Sequence, residues 1–176
     1  MNKGNTVHID NVDIELSRLD KLFFPDDSIS KGEVINYYRR VAELALLHAQ
    51  DRPLSIQRFP DGISADGFFQ KQVPDHFTDW IETVTSSKKS GNKITQVVAG
   101  NTATFVYLAD QGMITPHVAL SRIDMIDRPD HIIFDLDPSD DDFGKVQFAA
   151  GAIRDLCHEL KLDSWVKTSG SRGLHI

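Results

Sequence analysis

Ile132-Ile133-Phe134-Asp135-Leu136-Asp137-Pro138 is the stretch that decides the fold. Its apolar residues flank two aspartates in strand-like alternation from His131 to Asp137, and Pro138 breaks the run. Downstream, Val146, Ala149, Ile153, Leu156, Cys157 and Leu160 recur at helical spacing and predict a helix over Phe143 to Leu160 with those residues inward. Acidic residues precede this helix and Lys161 follows it, as the helix dipole favours. A second strand is expected from Asp163 to Thr168, a tight loop at Ser169-Gly170-Ser171-Arg172-Gly173, and a third strand from Leu174. Strand, helix and strand in that order indicate an α/β fold, an α+β arrangement with a mixed sheet.

Upstream, Arg128-Pro129-Asp130 reads as a connector. It divides an N-terminal α/β subdomain, residues 1–128, from a second subdomain, residues 129–176. Ser30 and Glu33 form a capping box that opens a helix running to about Gln50, with Val34, Tyr37, Val41, Leu44 and Leu47 or His48 on its apolar face. A short strand follows through Leu54, Ile56 and Phe59. Asp61-Gly62 and Asp66-Gly67 mark turns. Pro74-Asp75 opens an expected second helix with Phe77, Trp80, Ile81 and Val84 on one side. Ser86 to Asn92 reads as a basic loop or hairpin tip, and Ile94 to Val98 as a strand. Residues 101–111 form a helix stopped by Gly112, and Ile114 to Leu120 a further strand.

The chain has 176 residues, 40% hydrophobic and 26% charged, with a net charge of -7. Disordered, collagenous and coiled-coil classes are excluded by that composition. No apolar run approaches the roughly 18 residues that span a bilayer, and the polar start Met1-Asn2-Lys3-Gly4-Asn5 lacks a signal peptide's apolar stretch. One cysteine, Cys157, rules out an internal disulfide and a cysteine-based zinc site, so a cytoplasmic location is expected. The acidic balance argues against a generally basic coat but leaves room for a local basic groove. Charge is segregated: Asp135, Asp137, Asp140, Asp141 and Asp142 crowd together, and Lys88, Lys89 and Lys93 gather elsewhere.

Side chains alternate across a strand, so Asp135 and Asp137 share a face with backbones about 6.5 Å apart. Such a pair suits divalent cations that prefer oxygen ligands, magnesium or manganese. An acidic strand end leading into a helix is the plainer reading, and the residues alone leave both open. In Ser169-Gly170-Ser171-Arg172-Gly173, two glycines let backbone N–H groups approach an anion, and Arg172 and His175 add donors. A Gly/Ser turn with a solvated arginine is the alternative. Lys31 lies in a helix's first turn, where free N–H groups attract anions, and Lys21 can join it around one phosphate, although two ordinary exposed lysines are the commoner outcome of such spacing. Phe68 and Phe69 precede Lys71. If extended they face opposite ways, one to the core and one outward as a stacking platform, although two buried rings are the commoner outcome. His117 is a lone strand histidine, more often structural than a ligand.

Taken together these segments resemble the polymerase domain of bacterial ligase D, in the archaeo-eukaryotic primase superfamily. The matching pieces are Leu19-Asp20-Lys21-Leu22-Phe23-Phe24-Pro25, Lys31-Gly32-Glu33, Arg52-Pro53, Phe68-Phe69-Gln70-Lys71, Pro74-Asp75-His76, Asp135-Leu136-Asp137-Pro138 and Lys167 to His175, in the family's order. The resemblance implies a primase-polymerase fold whose second subdomain is the first part of an RRM-like catalytic unit. It implies gap filling in non-homologous end joining, adding NTP or dNTP to a 3′ end with Mn2+ or Mg2+. Asp135 and Asp137 would be the metal ligands and catalytic carboxylates; His117, Ser169, Arg172 and His175 would contact the triphosphate. Lys21 and Lys31 would hold a 5′-phosphate, with Arg58, Phe68, Phe69 and Lys71 on DNA. Implied partners are 5′-phosphorylated DNA ends and nucleotides, with ligase and end-binding repair proteins and no membrane, in a nucleoid-associated setting.

Two departures stand out: Arg172 where the family commonly has lysine, and Gln57 where a basic residue is frequent. The family's third metal carboxylate has no counterpart within these residues. Weak binding of nucleotide and ends, with little extension, is therefore expected of this chain in a manganese gap-filling assay. A non-catalytic 5′-phosphate-binding module and a metal-dependent phosphoesterase are the competing functions.

Overall fold

The computed structural model describes residues 5–87 and 91–176. The chain divides into two compact units, Met1–Pro129 and Asp130–Ile176. Among the described residues its α/β architecture consists of three α-helices, a short 3-10 helix at Ile123–Met125 and several small sheets of two or three strands.

The first unit opens with an antiparallel hairpin, β1 (Asn5–Ile9) and β2 (Val12–Leu16). Its turn residues Asp10 and Asn11 both take positive φ, the type that two-residue hairpins favour. A second hairpin pairs β3 (Leu22–Phe24) with β4 (Ile29–Ser30). Helix α1 (Lys31–Ala49) starts at the expected capping box: the Glu33 N–H donates to Ser30 Oγ, and the Ser30 N–H donates to Glu33 Oε2 at 2.8 Å. Those contacts hold the Glu33 carboxyl below the usual carboxylate range.

The buried face of α1 differs from the sequence expectation. Lys31, Val34, Ile35, Tyr38, Ala42 and Ala49 point inward, whereas Tyr37, Leu44 and Leu47 are exposed. The helix carries two apolar stripes, and the one with alanines wins because small side chains let it lie close to helix α2 (Thr102–Asp110). Tyr38 stacks on Phe105 and donates its hydroxyl to the Ile114 carbonyl at 2.6 Å.

Helix α2 is buried from Ala103 to Asp110 and is tied at both ends. Asn101 caps it by accepting from the Thr104 N–H, and Asp10 of the first hairpin accepts from the Ala103 N–H at 2.9 Å. At its far end Asp110 accepts from the Ser17 N–H and from Lys31 Nζ at 2.7 Å. Side chains of this ion pair are 6% and 4% exposed. Lys31 Nζ also donates to the Ser17 carbonyl and hydroxyl, so all three of its protons are placed.

Strand β5 (Leu54–Arg58) is central in a three-stranded antiparallel sheet, between β6 (Phe68–Gln70) and β9 (Met113–Val118). Along the chain, β6 and β9 are separated by a hairpin of β7 (Thr83–Ser87) and β8 (Lys93–Val97), which forms its own two-stranded sheet. Lys88 and Lys89, expected at its tip, lie outside the described residues. The helix expected after Pro74 is absent. Single turns close at Phe77 and Ile81, and Val84 belongs to β7. Contact with Tyr107, which meets both the Phe77 and Trp80 rings edge-on, replaces helical periodicity here. Gly112 has a φ of +86° and sits against Pro60, ending α2 as expected.

The second unit is sparer. Strands β10 (Asp135–Leu136), β11 (Lys167–Thr168) and β12 (Leu174–His175) pair in the order β10-β12-β11, all antiparallel. Phe134 and Ile176 exchange two further backbone hydrogen bonds. The strands are shorter than their apolar runs suggest. Helix α3 (Phe143–Glu159) is capped by Asp142, and of its expected inward residues only Val146 and Cys157 are buried. Leu156 and Leu160 stand exposed, because 47 residues with three two-residue strands supply too little surface to cover them. No helix among the described residues is long and apolar enough to cross a membrane.

The Lys31–Asp110 pair yields a stability prediction. Lys31→Met leaves an unpaired buried carboxylate and should lower the unfolding free energy of the first unit by about 3–5 kcal/mol. In denaturant titrations the double change Lys31→Met with Asp110→Leu should recover much of that loss. Equal instability of single and double variants would contradict the assignment.

Candidate functional site

In the second unit the β10–β12 register places Asp135 opposite His175 and Leu136 opposite Leu174. His175 Nε2 lies 3.2 Å from Asp135 Oδ1. Asp137 follows β10 by one residue, and both aspartates are exposed. The turn before β12 comes against them. A methyl group at Gly173 would overlap Asp137 Oδ1 and the Leu136 carbonyl oxygen, so only glycine fits. The acidic pair and the glycine-bounded loop, read separately in the sequence, are thus neighbours.

That loop is internally bonded. The Ser169 N–H donates to the Gly173 carbonyl, and Ser169 Oγ accepts from the Gly173 N–H at 3.0 Å and the Ser171 N–H at 3.4 Å. The N–H groups expected to face an anion therefore point at the Ser169 hydroxyl, whose own proton is left for another acceptor. Gly170 takes a φ of +90° at the loop tip, and Arg172 is exposed. Among the other acids, Asp140 pairs with Lys145 and accepts from the Asp142 N–H, contacts that hold its carboxyl below the usual range. Asp142 caps α3. Among the described residues no three acidic, histidine or cysteine side chains cluster tightly enough to hold a metal alone.

In the first unit the expected site residues fall into two groups. On the β6-β5-β9 sheet, Phe69 faces Gln57 and His117 faces Ser55, all on one side. The Phe69 and His117 rings lie 5.2 Å apart. Phe68 and Phe69 are 48% and 62% exposed, so neither ring is core. They do point to opposite sides, but β6 is an edge strand, and Phe68 packs under the Arg58 guanidinium rather than inside. Arg58 donates to the Gln111 carbonyl and to Gln70 Oε1, and burial lowers its pKa. Lys71 follows the strand and is exposed.

The second group surrounds the start of α1, where the expectation of open N–H groups is corrected. The Lys31 N–H donates to the Lys21 carbonyl, the Gly32 N–H to the Leu19 carbonyl and the Glu33 N–H to Ser30. Lys31 itself is buried on Asp110, and desolvation lowers its pKa. Lys21 reaches the surface, donating from Nζ to Asp61 Oδ1 at 2.5 Å and to the Pro60 carbonyl at 2.7 Å. Arg18 is exposed nearby, close enough to repel Lys31 and attract Asp61. Sequence reasoning gave Arg18 no role and Asp61 only that of a turn residue; the available signal was the three-residue spacing of Arg18 from Lys21.

The second unit thus sets an aspartate pair beside a glycine-bounded turn, and the first exposes Phe69 on a small sheet and Arg18 ahead of α1, in an α/β chain. Residues 30–176 match the LigD primase-polymerase domain model, and the chain belongs to that family. It is 30% identical over 93% of its length to the multifunctional non-homologous end joining protein LigD of Mycolicibacterium smegmatis. It is 28% identical over the same share to the bifunctional non-homologous end joining protein LigD of Bacillus subtilis. The chain spans only 22% and 26% of those relatives. Its fold matches the polymerase domain of Mycobacterium tuberculosis ligase D, solved in complex with DNA, at a TM-score of 0.83 and 28% identity. That match covers 92% of this chain and 59% of the other.

The Gly173 contact is open to direct test. Gly173→Ala should force β12 away from Leu136 and remove hydrogen-exchange protection from the Leu174 and Ile176 amides, with α1 and α2 unaffected. Unchanged protection at those amides would contradict the steric argument.

Proposed function

We propose that the chain is the nucleotide- and end-binding part of a polymerase that fills gaps during bacterial non-homologous end joining. Family membership supports this reading, and the observation that carries it is the approach of the Ser169–Gly173 turn to Asp137. In the proposed reaction a primer 3′-hydroxyl attacks the α-phosphate of an NTP or dNTP. A new P–O bond forms, the bond to the β-phosphate breaks, and pyrophosphate leaves.

Two carboxylates fit hard cations that complete their coordination with water and phosphate oxygens, so Asp135 and Asp137 would hold Mn2+ or Mg2+. Such ions neutralise triphosphate charge and acidify the attacking hydroxyl. Around that centre, the free Ser169 O–H donates to a phosphate oxygen and Arg172 forks onto the triphosphate. His175 steadies Asp135 from the neighbouring strand and presents its other ring nitrogen to the nucleotide. His117 contributes a further nucleotide contact. On the first unit Phe69 offers a face for base stacking, Phe68 and Arg58 offer a second contact on the opposite side of the sheet, and Lys71 meets the backbone. Lys21 contacts a 5′-phosphate directly. Lys31, spent on Asp110, serves by holding the frame from which Lys21 projects.

The test is manganese-dependent binding of a fluorescent NTP analogue. Replacing Asp135 and Asp137 together by asparagine should weaken binding at least about tenfold, roughly 1.4 kcal/mol. It should also abolish whatever slow 3′-extension the chain performs at a 5′-phosphorylated gap. Nucleotide binding indifferent to manganese and to both substitutions would contradict the enzymatic reading and leave an end-binding module.

A further inference from the structure

Of the two lysines expected at a 5′-phosphate, Lys21 is the one paired with an exposed carboxylate of its own chain. We propose that Asp61 is an internal counter-ion that a phosphate must displace from Lys21, so that a dianionic phosphomonoester engages this site and a singly charged phosphodiester does not. The proposal rests on the reading of Lys21 as a 5′-end contact and concerns what that contact demands of its ligand.

The geometry sets the competition. Lys21 Nζ donates to Asp61 Oδ1 at 2.5 Å and to the Pro60 carbonyl at 2.7 Å. The lysine side chain is 23% exposed and the aspartate 76%, so the carboxylate sits at the mouth, where an incoming anion would arrive. Its backbone is fixed. The Gly62 N–H closes a turn onto the Phe59 carbonyl, and the Ile63 N–H donates to the Phe23 carbonyl at 2.8 Å. Gly62 has a φ of +90° and packs so closely that a Cβ would lie 3.0 Å from the Leu22 carbonyl oxygen. The Asp61 side chain can swing outward while its attachment point stays in place.

Charge decides who wins. Arg18 in the turn after β2 and Lys31 of α1 face this pair, with Asp110 of α2 neutralising Lys31; no histidine is among them. A phosphodiester carries one negative charge, like the carboxylate it would replace, and the exchange gains little. A terminal phosphate carries about -1.5 to -2 at neutral pH, with a second pKa near 6, and does gain. A 5′-hydroxyl displaces nothing. Lys21 holds the Asp61 carboxyl below the usual range, so the competitor stays charged while the phosphomonoester loses its second charge. Preference for a 5′-phosphate should therefore fade as pH drops through about 6.

The experiment measures fluorescence anisotropy of three DNA probes at constant ionic strength: a gapped duplex with a 5′-phosphate, the same duplex with a 5′-hydroxyl, and an uninterrupted duplex. The parent chain should prefer the 5′-phosphate at pH 7.5 and lose most of that preference at pH 5. Asp61→Asn should bind the uninterrupted duplex about two- to five-fold tighter, the scale of one exposed ion pair. It should also keep a 5′-phosphate preference at pH 5. Asp66→Asn, an exposed acid removed from the neighbouring turn, reports the effect of net charge alone. An Asp61→Asn chain with the parent's pH profile, or one that Asp66→Asn reproduces, overturns the proposal. Lys21→Ala separates the two layers: if it leaves the 5′-phosphate preference intact, the end-contact reading itself fails. If it removes the preference while Asp61→Asn changes nothing, only the counter-ion proposal fails.

Discussion

Where strand β12 leaves the Ser169–Gly173 turn, its backbone runs against the Leu136 carbonyl and the Asp137 carboxylate with no room for a single extra carbon. The arrangement of the second unit depends on that contact. Without it the sheet would lose the pairing of Asp135 with His175, and the Ser169–Gly173 turn would drift from the two aspartates. The unit has little else to enforce the arrangement. Its strands are two residues long, and Val146 and Cys157 are the buried residues of its one helix. A steric constraint thus stands in for the large core that 47 residues do not provide.

The first unit solves a different problem, holding several charges near one another on a stable frame. It does so by burying one of them. Lys31 and Asp110 tie the start of α1 to the end of α2 and to Ser17, with every lysine proton engaged. Placement of Lys21 then follows, because its carbonyl accepts the Lys31 N–H while its side chain continues to the surface. One lysine is a buried structural ion, and the other reaches the surface, where Asp61 pairs with it. Both look alike in a sequence.

Much of this was legible beforehand where a local rule governs. The Ser30–Glu33 box, the glycine stop after α2 and a strand at Asp135 depend on neighbours a few residues away, and each appears, although that strand ends at Leu136 and leaves Asp137 outside it. Reading failed where distant packing arbitrates. Two apolar stripes on α1 compete, and the alanines that decide between them matter only because α2 lies alongside. Phe77 and Trp80 have helical spacing yet answer to Tyr107 instead. The β1–β2 hairpin was missed although Asp10-Asn11 between alternating residues is a recognisable turn signal. In the site, residue types pointed to phosphate chemistry, but nothing local told Lys31 from Lys21 or flagged Asp61 as the partner of the latter.

The central claim is that the acidic pair and the neighbouring turn form one centre for a divalent cation and a nucleotide. Paramagnetic broadening of backbone amide resonances by Mn2+, with and without a nucleoside triphosphate, tests it most directly. The account predicts broadening centred on residues 135–137 and 173–175 that sharpens its localisation and extends to Ser169 and Arg172 when the triphosphate is added. Broadening centred on Asp140, Asp141 and Asp142, or unchanged by nucleotide, would contradict it.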